Sequence, residues 1–251
     1  MRPSFRWMAL RFGFALLIAS TSISFVNCSA AKADVGEDAR QADVIRHVQT
    51  SEKAVAITFD DGPSATFTPQ ILKLLREHHA SATFFVIGSR IQRYPTLIRE
   101  ELKDGDEVAN HSYSHELLVR VPASRVESEL LQEQAAMVTV TGHEAAHLFR
   151  PPRGRFDKSI LIASSKNNYK IILWSIDSRD WSNPGTDRIV SKVLKDVKSG
   201  DILLFHDQGG NRSQTIAALS GIIPELARRG YKMVTVSELL RLGQTHPAFE
   251  R

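Results

Sequence analysis

Val55-Ala-Ile-Thr-Phe-Asp-Asp-Gly-Pro63 opens with an apolar, partly β-branched run and ends in two carboxylates and a turn. The run reads as a buried strand, and Gly62-Pro63 as the turn that stops it. Successive side chains of an extended chain point to opposite sides, but at a strand end turning through Gly-Pro both carboxylates can converge on one site. One can then bind a cation while the other stays free as a base. Read alone, the same residues also suit an ordinary turn.

Outward from this stretch, short apolar runs alternate with amphipathic helical patterns. Strands are expected at Ala82–Ile87, Glu107–Asn110, Leu148–Arg150, Tyr169–Ser175, Asp201–Phe205 and Lys232–Val236. Helices are expected at Pro69–His78, Ile91–Lys103, Ser124–Val140, Lys158–Asn167, Thr186–Val197, Gln214–Arg229 and Ser237–Leu242. Thr68 is placed to cap the first of them, with Pro69 at its first position. About seven βα units imply a parallel α/β sheet, either a partly closed barrel or a doubly wound sheet. In both, a site belongs beyond the C-terminal ends of the strands.

The titratable residues obey that rule. Asp60-Asp61 ends the first strand, His111-Ser-Tyr-Ser-His115 follows the third, and Arg150-Pro-Pro-Arg-Gly154 the fourth. Asp177-Ser-Arg-Asp180-Trp181 follows the fifth and His206-Asp207 the sixth. His111 and His115 are four apart, so one helical turn would set both imidazoles on one face, and imidazole with carboxylate suits zinc and its neighbours. His143-Glu-Ala-Ala-His147 matches the H-E-x-x-H zinc pattern literally, but that pattern works only on a helix. With Gly142 before it and Arg150-Pro-Pro after it, it reads as a chance match in a loop.

At the N-terminus, Arg2, Arg6 and Arg11 precede the mostly apolar run Phe12 to Val26, and Ala31-Lys-Ala33 offers small residues for cleavage. Residues 1–33 read as a secretory signal peptide, with an uncleaved single-helix anchor as the alternative. Val26-Asn27 before Cys28 makes a poor lipobox. Residues 34–51 read as a polar leader outside the core, 52–245 as the folded domain and 246–251 as a tail. Arg2, Arg6, Arg11 and Lys32 are four of the 32 basic residues, so beyond Ala33 the basic and acidic residues balance at 28 each. The basic balance of the whole chain therefore belongs to the export signal and gives no support for nucleic-acid binding. Cys28 is the single cysteine, so the mature domain has no disulfide.

Taken together, TFDDGP (58–63), HSYSH (111–115), RPPRG (150–154), DSRDW (177–181) and LFH (204–206) resemble the five motifs of the polysaccharide deacetylase family, in the family order. This is the carbohydrate esterase family that includes chitin, peptidoglycan and Nod-factor deacetylases. The resemblance spans residues 55 to about 240 and implies a distorted, partly closed (β/α) barrel. It implies that Asp61, His111 and His115 bind one divalent ion, zinc as the first choice and cobalt as the alternative. It further implies Asp60 as the general base, oriented and held ionised by Arg150. The ion and the backbone N–H of Arg153 would stabilise the oxyanion. His206, kept cationic by Asp180, would be the general acid, and Trp181 and Leu204 would wall the pocket for the acetyl methyl group.

The expected reaction is removal of N-acetyl groups from an N-acetylglucosamine-containing polysaccharide outside the cytoplasmic membrane, with peptidoglycan first and chitin-type oligomers second. Membrane contact would come only through an uncleaved signal segment, and the oligomeric state is not legible. An O-acetyl polysaccharide esterase of the xylan type and a non-catalytic glycan-binding domain are the alternatives. The second conflicts with a complete set of ligands, base and acid. Many family members have Tyr where this chain has Arg153, a change that keeps the backbone donor but can alter what lies over the sugar or meet an anionic group, which leaves the choice between N-acetylglucosamine and the carboxylate-bearing N-acetylmuramic acid open.

Overall fold

The computed structural model describes residues 42–244. The expected signal peptide (1–33) and tail (246–251) lie outside the described residues. Nine strands form one sheet: β1 (Val44–Ile45), β2 (Ala54–Asp60), β3 (Thr83–Val86), β4 (Glu107–Asn110), β5 (Ala146–Phe149), β6 (Lys170–Ile172), β7 (Ile176–Asp177), β8 (Ile202–His206) and β9 (Lys232–Val234). Their order is β1-β6-β5-β4-β3-β2-β8-β7, every pairing is parallel, and β9 pairs with the first half of β2 while β3 takes the second half.

The sheet curls because one run of chain pairs at both ends of this order. Its first half, β6, joins β5, while its second half, β7, joins β8. The expected strand Tyr169–Ser175 is thus two strands, broken where Ser175 leaves β6 to donate its N–H to Ile202 O at 3.1 Å. That break makes the barrel distorted and partly closed. The doubly wound alternative is set aside.

β1 corrects the expected leader. The end of the 34–51 segment is not outside the core: Val44–Ile45 pairs with β6, and Ala42 and Val48 are buried. Val48 then donates to Gly200 O at 2.9 Å, and His47 bonds Ser199 O at 3.0 Å across the rim of the barrel. The polar composition of the segment around it hid a two-residue strand that adds backbone bonds and packs Val44 and Ile45 against the core.

The helices are α1 (Thr68–Glu77), α2 (Gly88–Ile91), α3 (Pro95–Lys103), α4 (Ala123–Thr141), α5 (Lys158–Lys166), α6 (Thr186–Asp196), α7 (Ser213–Arg228) and α8 (Val236–Gln244). The single helix expected over Ile91–Lys103 is two, because Pro95 excludes Tyr94 from helical geometry. Thr68 is not the cap of α1 but its first residue, and Phe67 holds the cap position. No helix among the described residues is long and apolar enough to cross a membrane.

Alternation along β2 sorts the core into two layers. Val55, Ile57 and Phe59 pack outward with Phe84, Phe205 and the apolar faces of α1, α6 and α7. Phe59 stacks on Phe84 at 5.1 Å and meets Phe205 at 6.0 Å. Ala54 and Ala56 pack with Phe85, Ala109, Leu148, Ile172 and Ile202, closed off by Val236 and Leu239 of α8. Thr58 and Asp60 continue that inner row towards the C-terminal rim. If residues 42–48 belong to the core, a chain begun at Glu52 should lose about 2–4 kcal/mol in urea unfolding relative to one begun at Asp34.

Candidate active site

Asp60 ends the inner row of β2, in register with His206 of β8, while Thr58 pairs with Leu204 and Leu204 with Asp177 of β7. In-register residues of neighbouring strands face the same side, so Asp60, His206, Leu204 and Asp177 share one face. Asp61 would point away, but its backbone takes φ 76°, in the left-handed region, which swings its carboxylate back beside Asp60. Gly62 permits this turn, because a Cβ there would lie 2.2 Å from the buried carboxylate of Asp207.

Arg150 lies under Asp60 and is fully buried. Its Nη1 donates to Asp60 Oδ1 at 2.7 Å and to Thr58 Oγ1 at 2.8 Å. Nε and Nη2 donate to the carbonyls of Ile172 (3.1 Å) and Leu173 (3.2 Å), and the guanidinium stands 4.0 Å from the Phe85 ring centroid. The carbonyl of the same residue accepts His111 Nδ1–H at 2.6 Å, which turns Nε2 of His111 toward the carboxylates. A histidine fixed through Nδ1 is the usual state of a metal-binding imidazole.

His111 and His115 do converge, though not on the expected helical turn. The 111–115 segment is a loop with Ser112 at φ 64° and His115 at φ 60°. Side chains hold it there: Ser112 N–H donates to Asn110 Oδ1 at 2.8 Å, and His115 N–H to Ser112 Oγ at 3.0 Å. The N–H groups of Tyr113 and Ser114 donate to Glu129 of α4 at 2.9 and 2.7 Å. Asn110 Nδ2 in turn meets Glu133, one helical turn further along α4, at 2.5 Å. Nε2 of His111 and of His115 approach Asp61 Oδ1 to 3.4 and 3.2 Å.

Donor atoms of Asp61, His111 and His115 all lie within 4.8 Å of one another. This nitrogen and oxygen donor set fits a zinc-like divalent ion. Burial opposes ionisation of Asp61, but hydrogen bonds from His111 and His115, with the charge of His111 and His206, hold its carboxyl far below the usual range. Burial opposes charge on His111 as well, yet Asp60 and Asp61 raise it. Both directions describe a site that draws in positive charge.

Across the cleft stands His206. Its Nδ1 meets Asp180 Oδ1 at 2.8 Å, and its backbone N–H donates to Oδ2 at 2.9 Å. Thr215 Oγ1 donates to the same Oδ2 at 2.9 Å, and Arg212 Nη1 to the Asp180 carbonyl at 3.0 Å. Burial works against the imidazolium, but the bond and charge of Asp180, with Asp60 and Asp61, raise His206 to about 9. The cleft measures about 460 Å³ and is lined by Asp60, Asp61, His111, His115, His206, Leu204, Arg153, Trp174, Asp177 and Trp181. Leu204 is buried, whereas Trp181 is 48% exposed and forms an outer wall.

The fold therefore brings all ten residues singled out in the sequence to one end of the barrel. Glu129, Glu133, Trp174, Arg212 and Thr215 carry no sequence expectation, and Asp177 stands there only as the first residue of the DSRDW motif, without a role of its own. A signal existed for Glu133, an acid inside the apolar stripe of Val126, Leu130 and Met137 on α4. His143 and His147 form no second site. Gly142, at φ 78°, ends α4, and His147 sits in β5, bonded to Glu144 and stacked on Tyr169.

A family model described as polysaccharide deacetylase matches residues 47–172. A peptidoglycan-N-acetylglucosamine deacetylase of Bacillus cereus is 46% identical over 77% of this chain and 91% of its own length. The chain belongs to the polysaccharide deacetylase family. A chitooligosaccharide deacetylase of a Bradyrhizobium species is 38% identical over 74% of this chain and 90% of its own. Among solved structures, this polysaccharide deacetylase resembles a peptidoglycan N-acetylglucosamine deacetylase crystallised with a naphthalenyl N-oxidanyl-benzamide. There the TM-score is 0.76 and the identity 30%, over 80% of this chain and 94% of that one.

The histidine loop of this deacetylase hangs on Glu129, so Glu129→Ala should weaken zinc binding about 10- to 100-fold in calorimetry, with the barrel still folded.

Proposed function

We propose that the protein is a metal-dependent hydrolase that removes N-acetyl groups from N-acetylglucosamine-containing polysaccharide, peptidoglycan first and chitin-type oligomers second. The observation that carries the proposal is the pairing across one cleft of Asp60, held by Arg150, with His206, held by Asp180. The names of the curated relatives support the same chemistry.

Amide hydrolysis needs a base and an acid in opposite protonation states at one pH. In this reading Asp60 accepts a proton from the attacking water, whose oxygen bonds to the acetyl carbonyl carbon. The Arg150 guanidinium donates to Asp60 Oδ1 at 2.7 Å and fixes the orientation of the carboxylate. His206, bound to Asp180 through Nδ1, presents Nε2 to the cleft and passes its proton to the departing nitrogen as the C–N bond breaks, leaving acetate and a free amine. Asp61, His111 and His115 would hold a divalent cation, zinc before cobalt, which supplies Lewis acidity toward the carbonyl oxygen and the water. The backbone N–H of Arg153 is assigned to the developing oxyanion, and Leu204 and Trp181 to the acetyl methyl group. Outside the described residues, the charged and apolar N-terminal segment supports export to the cell wall or its surroundings.

Zinc-loaded protein should release acetate from N-acetylglucosamine oligomers and from peptidoglycan. Asp60→Asn should lower the rate at least about 100-fold, and chelation should abolish release until zinc returns. Acetate only from O-acetylated xylan, or from nothing, would overturn the reading. The rate should also depend on His206. kcat/KM should hold up to a pH of about 9 and fall above it as the imidazolium loses its proton. Since Asp180 raises that value, Asp180→Asn should move the alkaline limb down towards the ordinary 6.5, a shift read directly from pH–rate profiles.

A further inference from the structure

Most arginines around the cleft and barrel are committed. Arg150 is tied to Asp60, Arg212 to the carbonyls of Asp180 and Gly209, and Arg90 to Pro63 O. Arg179 lies over the ring of Trp181 at 5.7 Å. Arg153 differs. It lines the cleft and is exposed, and its side chain makes no ion pair, hydrogen bond or ring contact among the described residues.

Its backbone is nevertheless rigidly set. Arg153 has φ 60° and ψ 17°, a conformation that a non-glycine residue keeps only where its surroundings impose it. Pro151 and Pro152 precede it, and Gly154 donates to Pro151 O at 2.8 Å. Gly154 packs against the indole of Trp174, so close that a Cβ would lie 2.5 Å from Cη2. An unpaired, always-charged fork is thus rooted on a fixed turn beside two indoles, a surface suited to a sugar ring.

We propose that Arg153 recognises a carboxylate carried by the glycan beside the N-acetyl sugar being hydrolysed, so that the cleft prefers anionic glycans to neutral ones. This rests on the deacetylase reading above and decides between its two substrate classes. Asp60, Asp61 and Asp177 also line the cleft and would repel an anion. The carboxylate must therefore seat at Arg153, the one permanent cation without a partner among the described residues that line the cleft. Two sources share this chemistry, a free lactyl ether on the neighbouring sugar and the carboxylates of a peptide attached to it.

The test compares kcat/KM for acetate release on three tetrasaccharides. One is neutral N-acetylglucosamine, one alternates with N-acetylmuramic acid bearing free lactyl carboxylates, and one bears peptides on those lactyl groups. Wild type should favour at least one anionic substrate, less so as salt is raised. Arg153→Ala should cut the anionic-to-neutral ratio about tenfold, mostly through KM, as loss of a charged hydrogen bond implies. Arg153→Lys should fall between. Any effect on the turn itself acts on all three substrates and cancels in the ratio. The anionic substrate that loses preference identifies the source. An unchanged ratio, or a wild-type preference for the neutral oligomer, overturns the inference alone. No acetate from any of the three overturns the deacetylase reading and the inference with it.

Discussion

The Arg150–Asp60 pair, closed off from solvent inside the barrel, is the constraint on which the rest of the structure depends. Taking a guanidinium out of water costs several kcal/mol unless its N–H groups are matched, and this one is matched by a carboxylate, a hydroxyl and two carbonyls. Those partners belong to β2 and to the end of β6. They are the strand that carries the carboxylates and the strand whose departure closes the curl. The carbonyl of Arg150 also fixes His111. One residue thus ties Asp60, the histidine loop and the barrel's closure together, and a small shift in any of them would leave a buried charge unmatched.

Around that pair the site separates into two electrostatic halves. On one side Asp60, Asp61 and the two histidines make a pocket that attracts a cation. On the other, Asp180 keeps His206 protonated, and is itself held by Thr215 and Arg212 on the loop and helix after β8. The supports differ in kind. The histidine loop depends on acids buried in α4; Glu133, raised well above an ordinary glutamic acid by burial, accepts from Asn110 Nδ2. The loop needs such support because two of its five residues sit in left-handed backbone, where no regular hydrogen-bond ladder is available.

Much of this was legible in the sequence because it depends on strand ends. A β-branched run that stops at Asp60-Asp61, and polar clusters after each later run, place the site at one rim without further knowledge. What could not be read has physical reasons. β1 is two residues long, too short for its apolar Val44 and Ile45 to show a period, although both pack on the core. The break between β6 and β7 comes from where Ser175 finds a partner in Ile202, a long-range contact. The spacing of His111 and His115 suggested a helix, but the hydrogen bonds of Asn110, Ser112 and Glu129 won over local periodicity. Thr215 and Arg212 act through Asp180, far away in the chain, which periodicity cannot report.

The most direct measurement is a double-mutant cycle on the buried pair, using urea unfolding of wild type, Arg150→Met, Asp60→Asn and the double variant. Arg150→Met alone should cost about 3–5 kcal/mol, because it strands a buried carboxylate. Adding Asp60→Asn should restore part of that stability rather than remove more. Losses that simply add would mean that the two charges do not hold each other, and that the barrel is organised around something else.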